Sequence, residues 1–305
     1  MRPATVLIMS ALALTGFGAG PFAVALARRA NPALATVLLT ALSICVAGAT
    51  VAIAALTAYV GSVGILPALH PADWSATEIE RDLPVPPVLT AAAAVLAVGV
   101  LVRGCVRLAA ISRQARLTAT AVGAMPAAGK LVVVQSERAH AFAVPGSGGR
   151  VVVSTGMLRA LTGPERRALL AHELAHLTSS HHVFTQLACL AAAINPLMRP
   201  VSTGVDLAVE RWADAAALRA VGDPHVVAHA IGKAALAQIG PTIHNSLGVA
   251  RNDVVVRISC LLDARRTSPW PTAVLAAATI LPLAGAAFVV LQFHGVVEAS
   301  ELAGS

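Results

Sequence analysis

Three residues near the middle of the chain have the types and spacing of a metal-dependent hydrolytic site. They are His172, Glu173 and His176, in the pattern H-E-x-x-H. On a helix, residues four apart project from one face, so the two imidazoles can bind one ion at about 2.0–2.1 Å. The glutamate lies one step round the helix, where it can take a proton from a water molecule at the metal. The pattern therefore predicts a zinc site with Glu173 as its general base.

A third metal ligand is predicted on a second helix. The segment Glu210-Arg-Trp-Ala-Asp214 carries two carboxylates four residues apart, on one helical face. We expect Glu210 to bind the ion and Asp214 to accept the outward N–H of a ligand histidine, which fixes the tautomer of that histidine. One zinc ion per chain is therefore expected, bound by His172, His176 and Glu210. The alternative is a pair of polar helix faces that bind nothing.

For two further parts of a catalytic site, the oxyanion donor and the strand edge that binds the peptide, the sequence offers more than one candidate. Peptide hydrolysis needs a hydrogen-bond donor for the oxyanion of the tetrahedral intermediate. Three later histidines are candidates, although a surface or packed histidine is the commoner role: His225, His229 and His244. An extended peptide can be held by the free edge of a β-strand, and either residues 141–144 or residues 150–154 could present that edge.

The segment of ordinary globular composition, residues 110–270, has to position these groups. Short β-branched runs at 130–136 and 150–154, with a strand at 141–144 and turn residues at 145–149, predict a small antiparallel sheet.

A helix is expected over about residues 163–180, because Thr162 and Glu165 have the spacing of a capping box. The H-E-x-x-H pattern lies on this helix. The apolar run that follows, 183–198, is short and interrupted, so it predicts a core helix beside the site or a helix lying against a membrane. A fifth membrane span there would separate Glu210 from the histidines.

The rest of the chain is unusually apolar. Of its 305 residues, 57% are hydrophobic and 12% are charged, whereas about a quarter are charged in an average soluble domain. Four uncharged runs are candidates to cross a bilayer as helices: three are long enough by themselves, and 85–102 is shorter, but Arg103 at its end can snorkel and extend its reach. These runs are residues 4–27, 33–60, 85–102 and 271–293. The composition therefore predicts a mainly α, polytopic membrane protein that contacts lipid.

Arginine clusters orient the predicted spans. They occur at residues 28–29, 103–116 and 265–266, and clusters of this kind mark the cytoplasmic side of a membrane. All three are cytoplasmic only if both termini lie outside. The net charge of +7 is explained by these anchors, and no direct contact with nucleic acid is expected. Cleavage of the first run as a signal peptide is an alternative, but it would leave the cluster at 28–29 outside.

Several of these segments together resemble a known family of membrane enzymes. They are the run AHELAHLTSSHH, the Asn195-Pro196 that follows it, the Glu-x-x-Ala-Asp element and Val256-Arg257-Ile258. They resemble the BlaR/MecR-like membrane zinc metallopeptidases, the fifty-sixth metallopeptidase family. The related HtpX and CAAX-protease group shares the Glu-x-x-Ala-Asp element. The resemblance covers the membrane layout and about residues 110–265.

The resemblance implies the same site as the residues do. It implies that His172, His176 and Glu210 are zinc ligands, that Glu173 is the general base, and that Asp214 supports a ligand from behind. Four regions follow: a transmembrane region at 1–109, a cytoplasmic gluzincin-type α+β zinc peptidase domain at 110–270, a last span at 271–293 and a short extracellular tail at 294–305.

Two departures from the family pattern limit what carries over. Beta-lactam receptors of the family have an acylated serine in Ser-x-x-Lys, but the two lysines, Lys130 and Lys233, both have alanine three residues earlier. Direct beta-lactam binding is therefore not expected. An acidic residue often stands where this chain has His181, which puts the local role of that acid in doubt.

The predicted function is that of a membrane zinc metalloendopeptidase. Its expected substrate is a cytoplasmic or membrane-proximal protein, with a DNA-binding transcriptional repressor in an antibiotic- or stress-response pathway as the specific hypothesis. One alternative is a membrane quality-control protease of the HtpX kind. Another is a signalling scaffold without proteolytic activity, in which zinc is structural. Glu173 argues against the scaffold, because a structural zinc site needs no base and is usually closed by four protein ligands.

Overall fold

The computed structural model describes residues 28–70, 84–146, 148–238, 247–263 and 270–280, with isolated positions elsewhere. The helices are α1 Pro32–Gly61, α2 Pro87–Gly123, α3 Thr155–Ala160, α4 Gly163–Thr178, α5 His181–Ile194, α6 Arg199–Val221, α7 Pro224–Gln238, α8 Leu247–Leu262 and α9 Trp270–Ile280. The strands are β1 Leu131–Val134, β2 Ala141–Val144 and β3 Arg150–Ser154. The prediction of a mainly α protein is confirmed for the described residues.

Two long apolar helices, α1 and α2, pack against each other. The side chain of Asn31 caps α1 by accepting hydrogen bonds from the backbone N–H groups of Ala33 and Leu34, and Pro32 occupies the first turn, where its missing N–H costs nothing. At the other end of α1, a Cβ on Gly61 would collide with the side chain of Thr90 on α2. Glycine at this position therefore allows the two helices to approach closely.

The two helices coincide with two of the four predicted spans. Helix α1 matches the run 33–60, whereas α2 continues 21 residues past the predicted end at 102, up to Gly123. Within the described part of the chain, these two helices are long and apolar enough to cross a membrane. The run 4–27 lies outside the described residues, and of the run 271–293 only the part in α9 is described. The number of spans and their orientation stay predictions.

Helix α2 exposes much of its apolar surface. In its most hydropathic window of 18 residues, only 22% of the residues are buried, against 44% for α1. The exposed apolar side chains include Val88, Leu89, Val95, Val98 and Val106. Burial of such a surface in water-free surroundings is favourable, so α2 suggests membrane association.

The small sheet has the order β1-β3-β2. Strand β2 pairs with β3 in antiparallel fashion, as the glycine-rich turn between them predicts, but β1 pairs with β3 in parallel. The prediction of a wholly antiparallel sheet is therefore wrong. The strands β1 and β2 are not neighbours, because the chain leaves a space between them. The later strand β3 fills this space and pairs with both. Short β-branched runs carry no information on this pairing order.

Helix α4 begins at the expected capping box. The backbone N–H of Thr162 donates to Glu165 Oε2 at 2.8 Å, and the Thr162 side chain accepts from the backbone in return. The ammonium of Lys233 on α7 also binds Glu165, at 2.6 Å and 2.9 Å from its two carboxylate oxygens. The start of α4 is thus fixed to α7 as well as to its own cap.

The apolar run after α4 forms a core helix, which is one of the two predicted alternatives. Helix α5 has 14 residues, too few to span a bilayer, and it packs against α1, α2 and α6. It ends at Asn195, whose amide donates to Thr50 Oγ1 on α1 at 3.0 Å. Its buried alanines join an apolar cluster with α1 and α6 that includes Leu39, Leu42, Val46, Ala188, Ala192, Val201 and Val205. This cluster holds α6 in register beside α4.

Candidate metal centre

Helix α4 places the two histidines of the motif on one face. Ala168 and Ala175 are buried on the same side of the helix as His172, and this side packs against α6 and α7. His172 Nε2 and His176 Nε2 lie 3.2 Å apart. The one-turn spacing predicted from the sequence thus brings two ring nitrogens to one point.

Helix α6 brings Glu210 to the same point. Its carboxylate oxygens lie 3.4 Å from His172 Nε2 and 3.6 Å from His176 Nε2. A tetrahedral ion with ligands at about 2.05 Å holds neighbouring ligand atoms about 3.3 Å apart. The three observed separations agree with that edge length to within about 0.3 Å. The donor set of two imidazoles and one carboxylate therefore fits zinc, and among the described residues it is the one cluster of three or more potential ligands that could hold a metal ion.

Asp214 stands behind His172, one turn beyond Glu210 on α6. Its Oδ1 is 2.9 Å from His172 Nδ1, and its side chain is only 2% exposed. A hydrogen bond from Nδ1–H to this carboxylate leaves the lone pair of Nε2 facing the ligand cluster. The contact thus selects the tautomer of His172 that a metal requires.

Arg257 on α8 completes this side of the site. Its guanidinium donates to both oxygens of Asp214, at 2.6 Å and 2.8 Å, and its Nη1 is 2.9 Å from Glu210 Oε2. In the sequence, this arginine is part of the resemblance through Val256-Arg257-Ile258, without a predicted role. A usable signal was present, because a single arginine inside an apolar helical run, VVVRISCLL, needs a buried anionic partner.

The charges of this group compensate one another. Burial alone would lower the pKa of His172, but its hydrogen bonds to Asp214 and Glu210 outweigh burial and raise the pKa to about 10. Burial would raise the pKa of Glu210, yet His172 and Arg257 hold it well below its usual range. Without a metal, His172 and Arg257 are thus two cationic groups that stabilise the ionised carboxylate of Glu210, and the Nε2 proton of His172 would be released when a metal binds.

Glu173 lies in a different environment on the same helix. It is buried, and burial raises the pKa of its carboxyl group above the usual value, while His172 opposes the shift. A backbone hydrogen bond from Ala143 on β2 also reaches this carboxyl group. A carboxylate with a raised pKa beside the ligand cluster is suited to accept and return a proton.

A cleft of about 980 Å³ opens over these residues. One wall is formed by β2 through Ala141, Phe142 and Ala143, and the opposite wall by apolar residues of α7 that include Ile231 and Ala235. The cleft floor contains the ligand cluster and Glu173. This is the size and apolar character of a site that binds a side chain or a short peptide.

The structure decides which strand edge faces the cleft. Strand β3 is central, paired on both sides, whereas β2 is paired on one side only within the described sheet. The backbone N–H of Ser154 donates to His140 O, so Phe142 and Val144 continue the bonded pairs, and Ala141 and Ala143 direct their backbone groups away from β3. The alternative that β3 presents a free edge is wrong.

Two of the three candidate oxyanion donors are not brought to this cleft. His225 and His229 on α7 are exposed and do not line it. Both lie on the side of α7 that faces away from α4, because Val227, Ala228 and Ala230 are the buried residues there. His244 lies outside the described residues.

A further histidine, His181, lies behind the second metal ligand. It is buried, and its Nδ1 is 3.2 Å from His176 Nδ1. Its ring packs against Trp212 of α6, with ring centroids 4.8 Å apart. Burial, with a smaller effect of His176, lowers the pKa of His181 to about 4.

Comparison with known proteins yields one match. Residues 107–199 match peptidase family M48. The matched segment contains the sheet, α4 and α5, and it ends before Glu210 and Asp214. No curated protein and no solved structure matches the chain significantly. The match supports the metallopeptidase assignment, and it does not distinguish a BlaR/MecR-like from an HtpX-like subtype, which stays a prediction.

Proposed function

Because the match of residues 107–199 supports membership of peptidase family M48, we propose that this chain is a zinc-dependent metalloendopeptidase. The observation that carries the proposal is the agreement of three ligand separations, 3.2, 3.4 and 3.6 Å, with the edge of a tetrahedral zinc site. His172, His176 and Glu210 would hold one ion. Three protein ligands leave a fourth position open, which is typical of a catalytic and not of a structural site.

Zinc in this position supplies a Lewis acid that polarises the scissile carbonyl and lowers the pKa of a water molecule. The chain supplies the proton transfers. The carboxylate of Glu173 accepts a proton from the attacking water and returns it to the amine that leaves when the C–N bond breaks. Its raised pKa brings it closer to neutral pH, where both transfers are efficient.

The free edge of β2 can bind the backbone of the substrate. Ala141 directs its N–H and C=O groups and Ala143 its C=O group toward the cleft, and an extended peptide can pair with them as an added strand. Because Ala143 also hydrogen-bonds the carboxyl group of Glu173, a peptide on this edge lies beside the general base. Backbone pairing of this kind requires an extended segment but little specific sequence.

We propose that the substrate is a cytoplasmic or membrane-proximal protein. The exposed apolar surface of α2 supports a location at the membrane, and the arginine clusters support a cytoplasmic catalytic domain between multiple spans with both termini outside. Cleavage of a DNA-binding repressor is the specific hypothesis within this class. A reporter enzyme fused after Ser305 is expected to be active only outside; cytoplasmic activity of that fusion would contradict the topology.

The decisive experiment separates metal binding from proton transfer. Glu173→Gln in the purified full chain should retain one zinc ion and lose cleavage by a factor of about 10² to 10⁴, because general-base catalysis contributes that much. The matched control is Glu137→Gln, whose side chain is 89% exposed, and it should cleave as the wild type does. A His172→Ala, His176→Ala double variant should lose the zinc.

The substrate is sought by comparing the proteins of cells that carry the wild type or Glu173→Gln. A protein that accumulates uncut in the variant is the expected result. A single DNA-binding regulator would support the repressor hypothesis, whereas many damaged membrane proteins would support quality control. If Glu173→Gln leaves every cleavage event unchanged while zinc is bound, the protease proposal fails and the structural-zinc scaffold is the better account.

A further inference from the structure

The second metal ligand, His176, needs a hydrogen-bond acceptor behind its ring. Its Nε2 faces His172 and Glu210, so this is the nitrogen that can bind the ion. A neutral imidazole that offers the lone pair of Nε2 carries its proton on Nδ1. In His172 the corresponding Nδ1–H donates a hydrogen bond to Asp214. For His176 the atom at the matching position is His181 Nδ1, at 3.2 Å.

If His176 binds a metal, only one arrangement of protons allows the contact between the two histidines. Of the two Nδ1 atoms, one must donate and the other must accept. If His181 donated, His176 would carry its proton on Nε2 and could not bind the ion. His176 is therefore the donor, and His181 is the acceptor, with its own proton on Nε2.

The surroundings of His181 fit this tautomer. Its Nε2 is buried and has no hydrogen-bond partner among the described residues. The ring lies against Trp212, with the ring planes tilted by 51°, and an aromatic ring is a weak acceptor for an N–H that faces it. Trp212 lies on α6 between Glu210 and Asp214, so the residue that supports His181 belongs to the helix that carries the third ligand.

The backbone also holds His181 at this position. Helices α4 and α5 are joined by Ser179 and Ser180 alone, and Ser180 has φ 51°, the left-handed conformation. This conformation is unfavourable for a non-glycine residue. The sharp turn reverses the chain so that the first residue of α5 lies back over the last turn of α4. Local strain is thus tolerated where it brings His181 to His176.

We propose that His181 is a positioning residue for the metal ligand His176: it accepts the Nδ1–H of His176 and so holds the ring in the orientation and tautomer that bind zinc. The inference rests on the proposed function in that it requires zinc at His172, His176 and Glu210. Its rival is a purely structural role, in which the His181 ring only fills the space beside Trp212.

The test compares variants of the full chain that keep or remove the acceptor. His181→Phe keeps a ring against Trp212 but removes the acceptor, so zinc should bind about 10- to 100-fold more weakly, the usual effect of losing a partner behind a ligand histidine. His181→Asn restores an acceptor oxygen and should recover most of the affinity. The matched control is His182→Phe, the next residue of α5, which should bind zinc within about twofold of the wild type.

Two further measurements separate positioning from structure. Cobalt(II) in place of zinc should show an altered d–d absorption spectrum in His181→Phe and a near-normal spectrum in His181→Asn. The melting temperature of the metal-free protein should be similar in both variants, because the proposed role acts only on the bound metal. If His181→Phe does not fold, His181→Leu against His181→Asn gives the same comparison.

Each outcome has a definite meaning. Equal zinc affinity in the wild type and in His181→Phe overturns this inference and leaves the proposed function intact. Equal losses in His181→Phe and His182→Phe also overturn it, because they indicate a general disturbance of α5. Failure of the wild-type chain itself to bind zinc overturns the proposed function.

Discussion

His172 and His176 project from the same face of α4, but the groups behind them differ in kind. Behind His172 lies an ionic network, in which Asp214 accepts its N–H and Arg257 binds Asp214 and Glu210. Behind His176 lies a neutral aromatic pair, His181 and Trp212. We name these the ionic side and the aromatic side of the site.

One helix thus presents two metal ligands that have different supports. On the ionic side, Arg257 and His172 together compensate the buried carboxylates. On the aromatic side, no net charge is buried, so the support needs only shape and one acceptor atom. The ionic side should therefore contribute more to the stability of the metal-free protein, whereas both sides should contribute to metal affinity.

The largest expected effect comes from breaking the ionic side at Arg257. Arg257→Met leaves His172 as the remaining cationic partner of Asp214 and Glu210, and loss of one partner from a buried ion pair typically destabilises a protein by about 3–5 kcal/mol. The melting temperature of the chelated protein should fall accordingly, and by less when zinc is bound, since the ion compensates Glu210. The control Arg159→Met removes a side chain that is 59% exposed and should cost at most about 1 kcal/mol.

Equal destabilisation by Arg257→Met and Arg159→Met would contradict the ionic network as a stabilising element. It would leave the metal ligands themselves unaffected.

A smaller effect is expected when the acceptor of the ionic side is removed. Asp214→Ala should weaken zinc binding about 10- to 100-fold, because His172 loses the group that fixes its tautomer. Competition with a chelator measures the dissociation constant, and Asp223→Ala at an exposed aspartate is the matched control. Because Asp214 and His181 support different ligands, the free-energy effects of Asp214→Ala and His181→Phe should add approximately in the double variant. Strong non-additivity would show that the two sides act as one network.

The smallest effect is expected for a substitution of Glu165, which lies on α4 but belongs to neither the ionic nor the aromatic side of the site. Although burial opposes it, hydrogen bonds from Lys233 and Thr162 lower the pKa of this carboxyl group. A carboxyl group with a lowered folded-state pKa stabilises the fold above its unfolded pKa of about 4.3, and this contribution is lost as the pH falls through the folded-state value. Glu165→Gln should destabilise by about 1–2 kcal/mol at pH 7.

At acidic pH, below the folded-state pKa of Glu165, the difference between wild type and Glu165→Gln in thermal unfolding should shrink. A difference that stays constant with pH would mean that the charge of Glu165 does not matter and that the cap acts through hydrogen bonding alone.

Local patterns predicted those parts of the fold that depend on neighbours in the chain. The capping box at Thr162 and Glu165 placed the start of α4 to the residue, because capping acts within four residues. The one-turn spacing of His172 and His176 implied their shared face for the same reason. The length of the run after α4 distinguished a core helix from a span.

Contacts between distant segments could not be obtained in this way. The parallel pairing of β1 with β3 and the choice of β2 as the edge strand depend on the path of a connection, and the short runs carry no signal for it. The candidate oxyanion donors on α7 were chosen by residue type alone, and the packing of α7 against α4 turns His225 and His229 away from the cleft.

The residue types and spacing of the site follow from local sequence: two histidines and a glutamate on one helix, and two carboxylates one turn apart on another. The support of these groups depends on contacts between distant helices. Arg257 reaches Asp214 from 43 residues away, and His181 reaches His176 through a left-handed turn at Ser180. The physical reason is range: helix periodicity and capping act over one turn of chain, whereas charge compensation and ring orientation depend on which helices pack together.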